Sequence, residues 1–273
     1  MKKILSFVLA LVMIAALAAC GSGGSASKPA ESAAPAKLIV GTSADYAPFE
    51  FMYPDDSGKL VYGGIDVSVA QYIADFTKKE VQIENMGFDY LLASLQKGDF
   101  DMVVAAMEAT DERKNSADFS NPYYTDYPPK ILTLASTASA YTSLDSFAGK
   151  SVGAQTATTR EAVVKDEMPG ANLVSLQNVN DLVNQLVNSK IDAVVLDGAV
   201  AMQFVNSNKD LAIADISLGE DSVYCVAVAK GDPKGLLPGI NEAIADMLAQ
   251  GKVNECGKAA DSLENVWQEV SAS

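Results

Sequence analysis

Four short polar clusters, each following an apolar run, hold most of the side chains able to do chemistry. Thr42-Ser43-Ala44-Asp45-Tyr46 follows residues 37–41, Met107-Glu108 follows 102–106, Gln155-Thr156-Ala157-Thr158-Thr159 follows 151–154, and Asp197-Gly198 follows 191–196. They supply hydroxyls, a carboxamide, an aromatic ring and carboxylates. There is no histidine, which removes Ser-His-Asp and Cys-His catalysis and histidine-ligated metal sites. The acidic residues lack calcium-loop spacing, so no metal or other cofactor is expected. Glu108 is the one obvious general-acid candidate, and no second carboxylate or nucleophile stands beside it at motif-like spacing. With Lys+Arg 20 against Asp+Glu 35 the net charge is -15, which argues against nucleic acid as a partner.

The apolar runs are the elements that must position these clusters. Residues 37–41 read as a buried strand. Val69, Ile73 and Phe76 are spaced as on a helix that Asp66 would cap and that runs to about Thr77. Residues 81–84 alternate as a strand, Leu91, Leu92 and Leu95 mark a helix ended by Gly98, and 102–106 is a buried strand. The same β-α-β-α-β order returns over 151–196. Leu91, Leu95, Phe100, Asp101, Val103 and Val104 match Leu182, Leu186, Ile191, Asp192, Val194 and Val195 at a constant offset of 91. Two such units predict an α/β protein of two lobes, each a mostly parallel sheet flanked by helices. A ligand cleft is expected beyond the C-terminal strand ends, where the polar clusters fall. A third apolar run, 222–230, precedes helices that need a partner lobe. Its return to the first lobe gives two crossings, a topology that allows a hinge.

The N-terminus reads as an address. Lys2 and Lys3 precede an apolar stretch from Ile4 to Ala19, short for a membrane span and right for a secretory signal. Small residues before Cys20 resemble a lipoprotein processing site, and the Gly-, Ser-, Ala- and Pro-rich residues that follow read as a flexible tether. Cys225 and Cys256 are either an exported disulfide or two buried thiols.

Gly41-Thr42-Ser43-Ala44-Asp45-Tyr46-Ala47-Pro48-Phe49-Glu50-Phe51, Gly64-Ile65-Asp66-Val67, Thr110-Asp111-Glu112-Arg113-Lys114, Asp118-Phe119-Ser120-Asn121-Pro122-Tyr123-Tyr124 and Lys190-Ile191-Asp192-Ala193 together resemble the polar amino-acid-binding proteins (solute-binding family 3) of bacterial ABC importers. The resemblance covers nearly all of 37–270. It implies the type II periplasmic-binding-protein fold and a hinge-closing receptor that delivers a free amino acid to a membrane permease. The organisation expected is a signal peptide over 1–19 and a lipidated Cys20 with tether over 20–36. One lobe is expected from 37–125 with 221–273 and the other from 126–220, in a monomer anchored to the cell membrane through Cys20.

A bound zwitterion needs a forked cation for its carboxylate and an anion for its ammonium. Arg113 suits the first and Asp197 the second, although Asp197 also reads as a helix N-cap. Thr158 and Thr159 open a helix whose N–H groups favour the carboxylate, with capping an equal reading of Thr158. The resemblance places Thr159 at the ligand, Tyr46 and Phe88 as flanking aromatics, Ser43 and Gln155 at the side-chain end, and Ala106 in contact through its backbone. Two positions depart from the family pattern. Ala157 replaces a glycine. Glu108 replaces a small hydroxyl residue, and it either pairs with Arg113, meets a cationic ligand side chain, marks a ligand that is not a standard α-amino acid, or points into water. Glu108, Glu50 and Asp45 make the cleft acidic, which disfavours glutamate and aspartate and leans towards a basic or polar amino acid. The same fold also hosts enzymes of the cyclohexadienyl-dehydratase kind, in which Glu108 would be the acid, and ligand sensors.

Overall fold

The consecutive apolar residues Leu38, Ile39 and Val40 make β1 (Lys37–Thr42) a strand buried nearly throughout, as a central strand covered on both faces must be. The computed structural model describes residues 35–262; the signal, Cys20 and most of the tether lie outside the described residues. β2 (Asp45–Tyr46), β3 (Glu50–Pro54) and β4 (Leu60–Gly63) form a small antiparallel sheet where the sequence reading had only a polar loop. α1 (Ile65–Phe76), β5 (Glu80–Asn85), α2 (Phe88–Lys97), β6 (Met102–Val103), α3 (Asp111–Lys114) and β7 (Ala117–Thr125) follow. The second half runs β8 (Lys130–Leu134), β9 (Ser151–Gln155), α4 (Thr159–Glu167), β10 (Asn172–Leu176), α5 (Val179–Val187), β11 (Ala193–Leu196), α6 (Gly198–Ser207) and β12 (Leu211–Ile213). β13 (Val223–Ala229), α7 (Leu237–Ala249) and α8 (Lys252–Ser262) close the described chain.

The two main sheets have matching orders, β5-β1-β6-β13-β7 and β10-β9-β11-β8-β12. In each, the first three strands are parallel, the fourth runs against both its neighbours, and the fifth pairs antiparallel with the fourth. The sheets are therefore mixed, and parallel only over the βαβ part. The reason is connectivity. The chain leaves the first sheet after Thr125 and returns to it at Val223, and the strands laid down by these two crossings, β8 and β13, follow β7 and β12 with no helix between and run against both their neighbours. The internal repeat extends to individual hydrogen bonds. Asp101 Oδ2 accepts from Ile39 N at 2.7 Å in one sheet, and Asp192 Oδ2 accepts from Ser151 N at 2.8 Å in the other. In both, the carboxylate before the third strand fixes the start of the first. Leu91, Leu95, Phe100 and Val103 pack against one face of the first sheet. Val152, Val164 and Phe147 do so on the second.

Asp66 does not cap α1. Gly64, at φ 116°, occupies the cap position, where an added Cβ would fall 2.1 Å from Phe49 O. Asp66 instead points inward, 1% exposed, accepting from Ala106 N (2.5 Å) and Tyr123 Oη (2.8 Å). Cys225 and Cys256 are both free thiols, one on β13 and one on α8.

Several carboxyls are buried. Desolvation pushes Asp45, Asp66 and Asp126 up to about 6, and Glu50 well above the ordinary range. The folded chain thus holds protons that the unfolded chain has released above about pH 4, and stability falls as pH rises through about 6. Asp118, held low chiefly by its bond with Lys230, acts in the opposite sense and is lost below about pH 4. The ligand-free protein is expected to melt several degrees higher at about pH 5.5 than at pH 7.5. A melting temperature that climbed steadily to pH 8 would contradict these environments.

Candidate functional site

All ten residues singled out from sequence line one cleft of about 320 Å³, between the C-terminal ends of the two sets of parallel strands. Glu50 and Ala105 line it as well.

At one end stands Arg113 on α3. Thr110 caps this single turn, its Oγ1 accepting from Arg113 N at 3.2 Å. The guanidinium donates to Glu108 O (3.0 Å) and, across the cleft, to Ala157 O (3.1 Å). It lies 5.1 Å over the Phe88 ring, at the first residue of α2. Burial works against its charge and lowers its pKa, and an anion here would offset that cost. Facing it is the start of α4. Thr158 is the N-cap, accepting from Glu161 N (3.3 Å) and donating to Gln155 O (2.6 Å), which is the capping reading of this residue. Thr159 turns its hydroxyl to Glu108 Oε2. The first turn of α4 leaves backbone N–H groups and the positive end of the helix dipole at the cleft.

Ala157, in the family's glycine position, keeps a left-handed backbone at φ 62°. An L side chain is strained there, so Ala157→Gly is expected to stabilise the protein by about 1 kcal/mol, or about 2–4 °C in Tm, with ligand affinity kept. A lower Tm in that variant would show that the alanine methyl is doing packing work. Ala106 is likewise strained, at φ 42°, where its N–H turns down to Asp66.

In the same cleft, near enough for its charge to act on Arg113, stands Asp197, 6% exposed, before α6. Its side chain makes no capping bond; Asp126 takes that role, accepting from Ala199 N at 3.2 Å. Asp197 is thereby free to face the cleft. Tyr46 donates to its Oδ2 at 2.7 Å, and Ser222 to its Oδ1 at 3.3 Å. Ser43 Oγ donates to Asp45 Oδ1 (3.1 Å), Asp45 Oδ2 accepts from Val179 N (2.8 Å) at the start of α5, and Gln155 Nε2 donates to Gln177 O (2.9 Å). The Tyr46, Asp45 and Arg113 bonds join the two halves across the cleft.

The residue that sequence reading missed is Arg160. It is 5% exposed, and its Nε lies 3.0 Å from Asp197 Oδ1 while Nη2 donates to Glu108 Oε1 at 2.8 Å. Burial opposes its charge, but Asp197 and Glu108 outweigh that and hold its pKa above the usual range. Of the readings of Glu108, the pair with Arg113 is not what forms: its carboxylate pairs with Arg160, and Arg113 takes only its backbone carbonyl. A cation in the first turn of α4, against the helix dipole, was the available signal that an acidic partner faces it.

The family model for bacterial extracellular solute-binding proteins, family 3, matches residues 38–259. The arginine-binding extracellular protein ArtP of Bacillus subtilis is 31% identical over 262 residues, covering 94% of this chain and 97% of its own. The glutamine-binding protein GlnH of the same organism's ABC transporter is 28% identical, over 94% and 97%. Among solved structures, the amino acid ABC transporter substrate-binding protein AbpA of Streptococcus pneumoniae, bound to L-arginine, superposes with a TM-score of 0.79 at 35% identity, covering 84% of this chain and 95% of its own. Fold, extent and motif all agree, and the chain belongs to the bacterial extracellular solute-binding proteins of family 3, extracytoplasmic receptors that bind amino acids for ABC importers.

Proposed function

We propose that the protein captures a free cationic amino acid of the arginine type and hands it to its ABC permease, as a monomer anchored to the membrane through acylated Cys20. The observation that carries the ligand class is the charge balance of the cleft. Glu50, Glu108 and Asp197 line it against one lining guanidinium, Arg113, with Arg160 behind. Glu108 and Asp197 are matched by the two guanidiniums, whereas Glu50, whose ionisation burial opposes, has no cation of its own, and a cationic ligand side chain supplies one. The arginine-bound relative supports the same reading.

In this reading Arg113 and the first turn of α4 take the ligand carboxylate, displacing the Ala157 carbonyl from the guanidinium. Asp197 accepts the α-ammonium beside the Tyr46 hydroxyl, since a carboxylate oxygen accepts more than one donor. Tyr46 and Phe88 flank the side chain, and Ser43 and Gln155 stand at its end. Residues 37–125 with 221–273 form one lobe and 126–220 the other. The ligand touches both and so favours closure about the two crossings. Both oxygens of Glu108 are occupied by Arg160 and Thr159, which is the posture of an acceptor and not of an acid poised to give up a proton.

A thermal-shift panel of the free amino acids, on protein stripped of ligand by unfolding and refolding, tests this. Ligand at 100 times its dissociation constant adds about 2.7 kcal/mol of stability, a shift of several degrees. Arginine, lysine or ornithine are expected to lead the ranking. A ranking led by a neutral or acidic amino acid would refute the ligand class and keep the receptor.

A further inference from the structure

Glu50 is the one lining carboxyl whose chemistry the site as described does not use. It sits on β3, paired with Tyr46 of β2, 1% exposed and at the wall of the cleft. Its Oε2 has no N–H or O–H donor, and neither does Oδ1 of Asp66 on α1. The two carboxyls lie close enough that each bears on the other's ionisation. Two facing carboxyls with no donor between them hold together only by sharing a proton. We infer that this proton is exchanged for a cation of the ligand: Glu50, backed by Asp66, gives its proton to solvent when an ammonium or guanidinium enters the cleft, and becomes part of the ligand's binding site.

The surroundings argue for such an exchange. Asp66 is already anchored, its Oδ2 accepting from Ala106 N and from Tyr123 Oη, so the pair cannot turn away. Asp45 and Asp197 press on Glu50 from β2 and from the start of α6, and both act against its ionisation. Burial is the larger cause, and together they hold Glu50 well above the ordinary carboxyl range. Both guanidiniums near the cleft are otherwise engaged, Arg160 with Asp197 and Glu108 and Arg113 with the Glu108 and Ala157 carbonyls. What Glu50 lacks is a cation, and an incoming ligand brings one. Because the empty site holds the proton and the filled site does not, affinity rises with pH until Glu50 is ionised in the empty protein.

The inference rests on the cationic-ligand reading, and the test separates the two. Arginine is titrated calorimetrically into the purified full chain at about pH 7, in two buffers of different ionisation enthalpy. Wild-type protein is expected to release up to about one proton per arginine bound. Glu50→Gln, which keeps shape and a hydrogen bond to Asp66, is expected to lose that release and about tenfold or more in affinity. Citrulline, arginine without the side-chain charge, identifies the cation. If Glu50→Gln weakens arginine alone, the guanidinium is the one exchanged; if it weakens both alike, it is the α-ammonium. Wild-type protein that binds arginine with no proton release, or a Glu50→Gln variant with unchanged affinity, overturns the exchange and leaves the function standing. Wild-type protein that does not bind arginine overturns the arginine-type ligand and leaves the receptor standing.

Discussion

Replacing Arg113 by alanine is expected to weaken amino-acid binding roughly a hundred- to thousandfold, with the fold intact. The guanidinium is buried against two carbonyls and the Phe88 ring, and burial works against its charge. Its removal therefore costs the empty protein little. The same group is the forked donor that a ligand carboxylate requires, so the cost falls on the complex. Arg113→Lys keeps the charge without the fork and is expected to recover only part of the affinity. Calorimetric titration with circular dichroism as a fold control measures both. An Arg113→Ala variant that bound its ligand normally would move the carboxylate site elsewhere.

The second large effect is on stability. Arg160→Met, which retains the apolar stem, is expected to destabilise the protein by about 3 kcal/mol, or about 6–12 °C in Tm. Two carboxylates, Asp197 and Glu108, lose their shared cation, and Asp197 is left 6% exposed with only hydroxyl donors. Adding Glu108→Thr to Arg160→Met should cost less than the two separate changes summed, since the carboxylate stranded by the first is removed by the second. Additive effects in thermal or denaturant unfolding would mean that Glu108 and Arg160 are not coupled. Glu108→Thr alone is expected to lower preference for cationic ligands, by removing a negative charge that Arg160 now balances.

The arrangement of these residues was legible in the sequence to different depths, for physical reasons. The βαβ units came from periodicity and turn residues, which are local. The 91-residue offset carried enough of the repeat to place α2 with α5 and β6 with β11. Among the strands in antiparallel pairs, β13 was legible as the apolar run 222–230, whereas β7, β8 and β12 were harder. A strand of mixed burial such as β7 shows no clean period, and its direction is set by a chain crossing between sheets. Asp66 looked like a helix cap because acidic residues often stand at that position. Its true role needs Ala106 N and Tyr123 Oη, which are 40 and 57 residues away. The ten cleft residues were found because their motifs are contiguous. Arg160 was not, since its partners lie 37 and 52 positions off and only the unfavourable helix-dipole position hinted at them. Glu50 was visible as part of an acidic cleft, but its shared proton with Asp66 appears only when the two carboxyls are seen facing each other.

The most direct test of the account compares three ligands on one ligand-free protein by calorimetric titration. L-arginine carries the carboxylate, the ammonium and the side-chain cation; agmatine lacks the carboxylate, and citrulline lacks the side-chain charge. The expected order has L-arginine binding one to one and tightest, citrulline weaker by about tenfold or more, and agmatine weaker by about a hundredfold or more. Agmatine binding as tightly as arginine would contradict the carboxylate clamp at Arg113. Citrulline binding as tightly as arginine would contradict the reading of the cleft as a site for a cationic side chain.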